Sequence, residues 1–147
     1  MSATEWLEDS SDPSWRSEDT VKLSHILVQH GVDLLDVSSG GNSPAQNIKK
    51  PSKGENPAYQ ARFSEAVKKD GANLLVGAVG DINTGTVAEN VMKKGQADVI
   101  FVGRAFQKNP GLVWAWAEEL GVEVQLPSQI RWGVFGRGKK AKKIQKL

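Results

Sequence analysis

Residues 97–104 read ADVIFVGR, a short apolar run that ends abruptly in a glycine and an arginine. A similar run, LLVGAV, occupies residues 74–79 and is followed by Gly80. Continuous apolar runs of this kind are typical of strands in a parallel sheet, because helices cover such a sheet on both faces. Both stretches therefore predict buried parallel strands, and the glycines predict where those strands stop.

The rest of the chain repeats one unit, an amphipathic helix followed by a glycine and a short strand. We predict helices near residues 17–30, 57–70, 86–94 and 110–120, alternating with strands in VDLLDVSSGG (32–41), NLLVGAVG (73–80) and ADVIFVGR (97–104). Thr86 and Asn109 are predicted helix caps. Strands joined through helices of this length have to be parallel. The chain is thus predicted to be an α/β protein, with a sheet that is either open or closed into a barrel.

The composition is that of an ordinary globular chain, with 39% hydrophobic and 24% charged residues. No apolar run is long enough to span a bilayer, no secretory signal is visible, and the absence of cysteine excludes disulfides and thiolate metal sites. We therefore expect a cytoplasmic protein without a membrane partner.

The basic residues are concentrated at the C-terminus, where six of the 19 lie in the last eleven positions. We predict a domain at residues 1–133 and a basic C-terminal tail at residues 134–147. The tail has no interleaved aromatic residues of the kind found in nucleic-acid-binding segments, so we expect no nucleic-acid partner.

All three predicted strands end in small residues, at 38–41, 77–80 and 103–104. Ligands bind at the carboxyl edge of a parallel sheet, because helix N-termini there present free N–H groups. Glycine lets the backbone approach a phosphate, and Arg104 would add charge-assisted hydrogen bonds. The glycines could instead serve only as turns. Two consecutive strand ends of this kind, the second followed by a possible short helix AFQKN, favour a phosphate-bearing ligand.

Residues suited to acid–base or metal chemistry are not clustered in this sequence. His25 and His30 both fall on the first predicted helix rather than at a strand end, and Asp36 lies within a strand. No pair of carboxylates has a spacing that indicates acid–base work. We predict no catalytic residue and no metal ligand in this chain.

Five segments taken together resemble the C-terminal half of the Old Yellow Enzyme family, the flavin-dependent NAD(P)H dehydrogenases and ene reductases. They are SATEW (2–6), VDLLDVSSGG (32–41), NPAYQARFSEAVKK (56–69), LLVGAVGDI (74–82) and ADVIFVGRAFQKNP (97–110). The resemblance extends from Ser2 to about Gly133 in the family's order and spacing. It implies a (β/α)8 TIM barrel in which SATEW ends the fifth strand and the three predicted strands are the sixth, seventh and eighth.

The resemblance also implies a cofactor, FMN, and a reductant, NAD(P)H. In the family, reduced nicotinamide passes a hydride to FMN, and the flavin then reduces the activated double bond of an unsaturated carbonyl compound. The residues implied to bind FMN are Val79, Gly80, Gly103 and Arg104 around its phosphate, and Ser38, Ser39 and Gly40 close to the flavin.

The sequence also departs from the family pattern. The arginine that precedes SA in the family is absent, as are the first four strands with their substrate-binding His/His or His/Asn pair and their active-site tyrosine. PSQIRWG (127–133) resembles a segment that in some members sends an arginine into the neighbouring subunit. Here Arg131 lies one position before the family's arginine, and Trp132 occupies the position of that arginine. We expect Trp132 to pack against the domain.

Four strands cannot close a barrel, because their inward face and two strand edges stay open. We therefore expect the chain to be a fragment with little activity of its own that associates with a second copy or with the missing N-terminal half. Two alternatives are a non-catalytic half-barrel interaction module and an open-sheet phosphate-binding α/β domain.

Overall fold

A computed structural model describes residues 1–7, 11, 13–48 and 57–135 of the chain. Helices and strands alternate along it, which confirms the predicted order and the short helix after the third strand. The elements are α1 (Ser17–Gln29), β1 (Leu34–Val37), α2 (Ala61–Asp70), β2 (Leu75–Val79), α3 (Gly85–Lys93), β3 (Val99–Phe101), α4 (Arg104–Lys108), α5 (Leu112–Glu119) and α6 (Trp132–Phe135).

The three strands form one parallel sheet in the order β1-β2-β3. Asp36 is paired with Gly77, and Gly77 is paired with Val99, so the strands run in register from end to end. Ser2 makes an additional parallel bridge to Ser38, which places the N-terminal segment beside β1. The chain is therefore an α/β protein with a parallel sheet, as predicted.

One face of the sheet is covered by helices. Leu35 and Val37 of β1 and Val76 of β2 pack against Phe63 and Val67 of α2, and all five are buried. A second cluster joins β2 to the elements that follow it and consists of Ala61, Ala78, Ile82, Ala88, Val91 and Ala97. Because successive residues of a strand point to opposite faces, these two clusters define the helix side of the sheet.

The opposite face of the sheet is partly open. Leu34 and Leu75 point to this side and are 39% and 52% exposed, respectively. The Phe101 ring covers Gly77, where an added Cβ would come within 2.3 Å of the ring. Exposed aliphatic residues on the face of a parallel sheet are unusual, because both faces of such sheets are normally covered.

The predicted helix caps were wrong by about two residues. Thr84 rather than Thr86 caps α3, and its side-chain oxygen accepts from the N–H of Val87 at 3.2 Å. Asn109 lies two residues before the N-cap of α5, where its Oδ1 accepts from the N–H of Gly111 at 3.0 Å. Several polar side chains near the start of a helix can accept a hydrogen bond from the same backbone N–H groups. The sequence therefore predicts that a polar side chain caps the helix, but not which one.

The C-terminal part of the described chain differs from expectation at Trp132. Its side chain is exposed, and its indole N–H donates to the carbonyl of Gln129 at 3.1 Å. The prediction that Trp132 packs against the domain was therefore wrong. α6 extends past the predicted domain boundary at residue 133, and residues 136–147 of the predicted tail lie outside the described residues.

Asp98 joins two strands at the amino edge of the sheet. Its carboxylate accepts from the N–H of Val76 at 2.9 Å and from Lys68 Nζ at 2.5 Å. The bond from Lys68, followed by the bond from Val76, holds the pKa of Asp98 below its usual range. We expect Asp98→Asn to lower the free energy of unfolding by about 1 kcal/mol at pH 7, since the ion pair is only partly buried.

The pH dependence of that loss follows from the direction of the pKa shift. A carboxylate with a depressed pKa in the folded state stabilises the protein above its unfolded pKa, and the stabilisation disappears as the pH falls through the folded pKa. Urea denaturation should therefore separate Asp98→Asn from the wild type at pH 7 but not at about pH 2. Asp33→Asn is the control, and a difference that persists in acid would contradict this role of Asp98.

Candidate functional site

The carboxyl ends of the three strands lie together at one edge of the sheet. Val37 is paired with Ala78, and Val79 is paired with Phe101. Paired strands are about 4.8 Å apart, so the residues that follow these pairs are close neighbours. This edge brings together all the predicted site residues, namely Ser38, Ser39, Gly40, Val79, Gly80, Gly103 and Arg104.

Gln60 links the ends of β1 and β2. Its side chain is buried, and its Oε1 accepts from Ser39 Oγ at 2.5 Å. Its Nε2 lies 1.9 Å from the point that a Cβ on Gly80 would occupy. Gly80 has a φ of 108°. Glycine is therefore required at position 80 both by the backbone conformation and by the amide packed against it.

Gln60 was not predicted as a site residue. It immediately precedes α2, although the sequence placed it within the helix predicted at residues 57–70. The burial of an amide and its bond to a strand-end serine arise from tertiary packing. They could not be inferred from local sequence.

The end of β1 is bound mainly to the N-terminal segment. The N–H and Oγ of Ser38 donate to the Met1 carbonyl at 2.8 and 3.0 Å. The N–H of Gly40 donates to the Thr4 carbonyl at 3.0 Å, and a Cβ on Gly40 would lie 3.4 Å from the Trp6 ring. The N–H of Gly40 is therefore engaged within the protein, and this glycine allows close packing.

Of the helices that begin near this edge, α3 and α4 have different N-termini. At α3, the carboxylate of Glu119 accepts from the N–H groups of Gly85 and Thr86 at 2.9 and 3.0 Å. Hydrogen bonds from the Thr86 hydroxyl and then from these N–H groups lower the pKa of Glu119. This carboxylate, which was not predicted from sequence, already occupies the position that an external anion would take at α3.

The start of α4 lacks such a cap. Among the residues that the structure describes, no side chain caps its N-terminus, and no atom lies within 4 Å of the point that a Cβ on Gly103 would occupy. The next residue, Arg104, is exposed. Of the N-termini of α3 and α4, that of α4 therefore leaves room for an anion beside the Gly103 backbone. Arg104 places a cation next to this space.

Tyr59 lies within the electrostatic influence of both charged residues at this edge. Burial raises the pKa of Tyr59, the Asp81 carboxylate raises it further, and Arg104 acts in the opposite direction. The phenol is therefore a neutral hydrogen-bond donor at pH 7. An anion near Gly103 would be attracted by Arg104 and repelled by Asp81, so its position would be biased toward α4.

Asp36 lies on the open face of the sheet, on the same side as Leu34. Burial raises the pKa of its carboxyl group, with the N-terminal ammonium opposing the shift. Its Oδ1 is buried and has no hydrogen-bond partner within the described part of the chain. A buried carboxylate oxygen without a partner is costly, which suggests that this face meets further structure.

Residues 1–7, 11, 13–48 and 57–135 contain no group of three or more acidic or histidine side chains placed to hold a metal ion. His25 Nε2 instead makes a hydrogen bond with the Asp70 carboxylate, which links α1 to α2. In the same ranges, no helix combines the length and the apolar character that crossing a bilayer requires.

The fold and this edge define a parallel α/β protein with its candidate ligand site at the carboxyl ends of the strands. No protein-family profile matches the chain. It is 49% identical over 150 residues to a protein of Gibberella zeae named NADH:flavin oxidoreductase, a match that covers 97% of this chain and 35% of the relative.

Two bacterial proteins named NADPH dehydrogenase are also similar. The chain is 39% identical to one from Geobacillus thermodenitrificans and 37% identical to one from a Geobacillus species, in both cases over 79% of this chain and 32% of the relative. The names of these relatives confirm the resemblance to the Old Yellow Enzyme family that is seen in the motifs of the chain. It spans about a third of the length of the curated relatives it matches.

Proposed function

We propose that this chain provides the phosphate-binding edge of an FMN-dependent NAD(P)H oxidoreductase. The observation that carries the proposal is the open backbone at Gly103, which lies beside Arg104 and next to the end of β2. The names of the relatives, NADH:flavin oxidoreductase and NADPH dehydrogenase, support a flavin and a nicotinamide reductant. The edge offers one open helix start beside one arginine, which matches a flavin that carries a single terminal phosphate. FMN is such a flavin, so we propose FMN as the cofactor.

In this proposal each strand end has a distinct part. Gly103 and Arg104 hold the phosphate, and the backbone at Val79 and Gly80 forms the neighbouring wall. Ser39, which Gln60 fixes in place, approaches the flavin from β1. The bound flavin would supply hydride transfer from NAD(P)H to the activated double bond of a small unsaturated carbonyl compound.

We further propose that the sheet is one half of a (β/α)8 barrel. The exposed Leu34 and Leu75 and the unpartnered Asp36 oxygen all lie on the face that would point into such a barrel. Eight parallel strands close a barrel whose interior is filled by side chains, and the described residues supply three strands and one bridged segment. The proposed partner is the N-terminal half of the enzyme, or a second copy of this chain.

A second candidate function is a non-catalytic half-barrel that binds another chain through its open face. The exposure of Leu34 and Leu75 favours it. Light scattering combined with flavin absorbance separates the two proposals. A yellow protein that binds FMN supports the oxidoreductase, and a colourless dimer that is indifferent to phosphate supports the interaction module.

The test of the oxidoreductase proposal is titration with FMN, followed by flavin fluorescence. Arg104→Ala should weaken FMN binding about tenfold, because an exposed arginine contributes one charge-assisted contact of moderate strength. Lys108→Ala is the matched control, since it removes an exposed cation from the same helix, and it should change the affinity by less than about twofold. Equal effects of the two substitutions would remove Arg104 from the site.

A further inference from the structure

A cleft of about 280 Å³ lies between α2 and α3 on the helix side of the sheet. Its α3 wall consists of Val87, Asn90, Val91 and Lys94, which share one helix face because they are three, four and seven residues apart. The opposite wall includes Arg62 and the turn that precedes α2. The lining of the cleft includes Tyr59 but neither Gly103 nor Arg104.

The cleft interrupts the helix layer. Close backbone contacts join α1 to α2 and α3 to α5, whereas those between α2 and α3 are sparse across the described residues. Neighbouring helices normally pack 8–10 Å apart with interlocking side chains. Here Gln96, which follows α3, donates a hydrogen bond from its Nε2 to Oε2 of Glu65 in α2 at 2.8 Å. The cleft beside this hydrogen bond remains open.

The lining of the cleft contains two cations and no acidic residue. Glu65 lies nearby, and its carboxylate accepts from Gln96 Nε2 at 2.8 Å and pairs with Lys69 Nζ at 2.6 Å. The hydrogen bond from Gln96 and then that from Lys69 lower the pKa of Glu65, and the Lys94 charge acts in the same direction. Neither Arg62 nor Lys94 belongs to any ion pair formed within the described part of the chain. Two like charges facing one cleft repel each other and attract an anion between them.

Arg62 lines the cleft and also stacks on two aromatic rings. Its guanidinium carbon lies 5.1 Å from the centre of the Trp6 ring and 4.7 Å from the centre of the Phe63 ring. Stacking of this kind uses the faces of the guanidinium and leaves the N–H groups in its plane available. Val91, which is buried, and Val87 supply an apolar surface between the two cations.

We infer that this cleft binds a small organic anion, with one carboxylate or phosphate held by Arg62 and Lys94 and an apolar body against Val87 and Val91. The cavity is slightly smaller than typical ligand sites, which measure about 300–1,000 Å³, so the ligand has about the size of one aromatic ring with its acidic group. The inference is independent of the flavin proposal, because none of the lining residues belongs to the predicted flavin site.

The test is an amide NMR titration of the full chain with phenyl phosphate and benzoate, with benzamide as the neutral probe of similar shape. Shifts should concentrate at Asn90, Val87 and Lys94. Lys94→Gln should weaken binding of the better anion about fivefold, a change of about 1 kcal/mol. Lys93→Gln is the control, because Lys93 also lies in the last turn of α3 but pairs with Glu89, and it should have less than about a twofold effect.

Several outcomes would overturn the inference. One is the absence of amide shifts at the cleft residues up to about 10 mM of either anion. The others are binding of benzamide as tight as that of the anions, and equal effects of Lys94→Gln and Lys93→Gln on anion binding. Arg62→Gln provides a second variant, and it should also weaken binding. Comparison of phenyl phosphate with benzoate distinguishes a phosphate ligand from a carboxylate ligand. Shifts confined to Gly103 and Arg104 would contradict the cleft site while leaving the flavin proposal in place.

Discussion

Replacement of Gly80 by alanine is expected to lower the free energy of unfolding by about 3 kcal/mol. Two costs add at this position. The φ of 108° is unfavourable for any residue with a Cβ, and the new methyl group would stand 1.9 Å from Gln60 Nε2. Gln60 cannot move without cost, because it is buried and holds Ser39. Urea denaturation of the two proteins measures the loss.

Two further substitutions separate these costs. Gly71 also has a positive φ, 81°, but a Cβ there would meet nothing within 4 Å, so Gly71→Ala should cost only about 1 kcal/mol. In a Gln60→Ala background, Gly80→Ala should lose its steric component and cost about as much as Gly71→Ala. A loss below about 0.5 kcal/mol for Gly80→Ala, or the same loss with and without Gln60, would contradict the packing described for this edge.

Gly103→Ala is expected to weaken FMN binding about 100-fold while leaving stability nearly unchanged. The backbone of Gly103 has a φ of −98°, which alanine adopts readily, and the space where the methyl group would stand is open. The same space is the one that a phosphate would need if it approaches the backbone here. The substitution therefore blocks the ligand without disturbing the protein.

The control for this substitution is Gly133→Ala, which also adds a methyl group in open space but far along the chain from the strand ends. It should leave both FMN affinity and stability unchanged. Denaturation curves for both variants should match the wild type within about 0.5 kcal/mol. Retention of FMN affinity in Gly103→Ala would show that the phosphate does not approach this backbone.

The strands were predictable because the physical cause acts locally. Strands that are buried on both faces of a parallel sheet are apolar at every position, and LLVGAV and VIFV have this pattern. The structure places β2 and β3 within these two runs. Helix faces are less predictable, since the apolar side chains of Met92 in α3 and Val113 in α5 are exposed. Those two positions lie at the margins of an apolar stripe, where tertiary packing decides burial.

The candidate site was predictable in its position and only partly in its members. Strand ends of parallel sheets meet at one edge, so Gly80 and Gly103 could be placed together from their sequence positions alone. Gln60 and Glu119 could not be found in this way, since each acts through a contact with residues 20 or more positions away. The cofactor was expected from the family motifs alone. Composition and hydrophobic periodicity do not identify a cofactor.

The central claim is that the edge of the sheet at Gly103 and Arg104 binds a phosphate carried by a flavin. Titration of the full chain with FMN and, separately, with riboflavin, which lacks the phosphate, tests it most directly. FMN should bind at least about tenfold more tightly than riboflavin, and inorganic phosphate should compete with FMN. Equal affinity for the two flavins, or no binding of FMN at millimolar concentration, would contradict the claim.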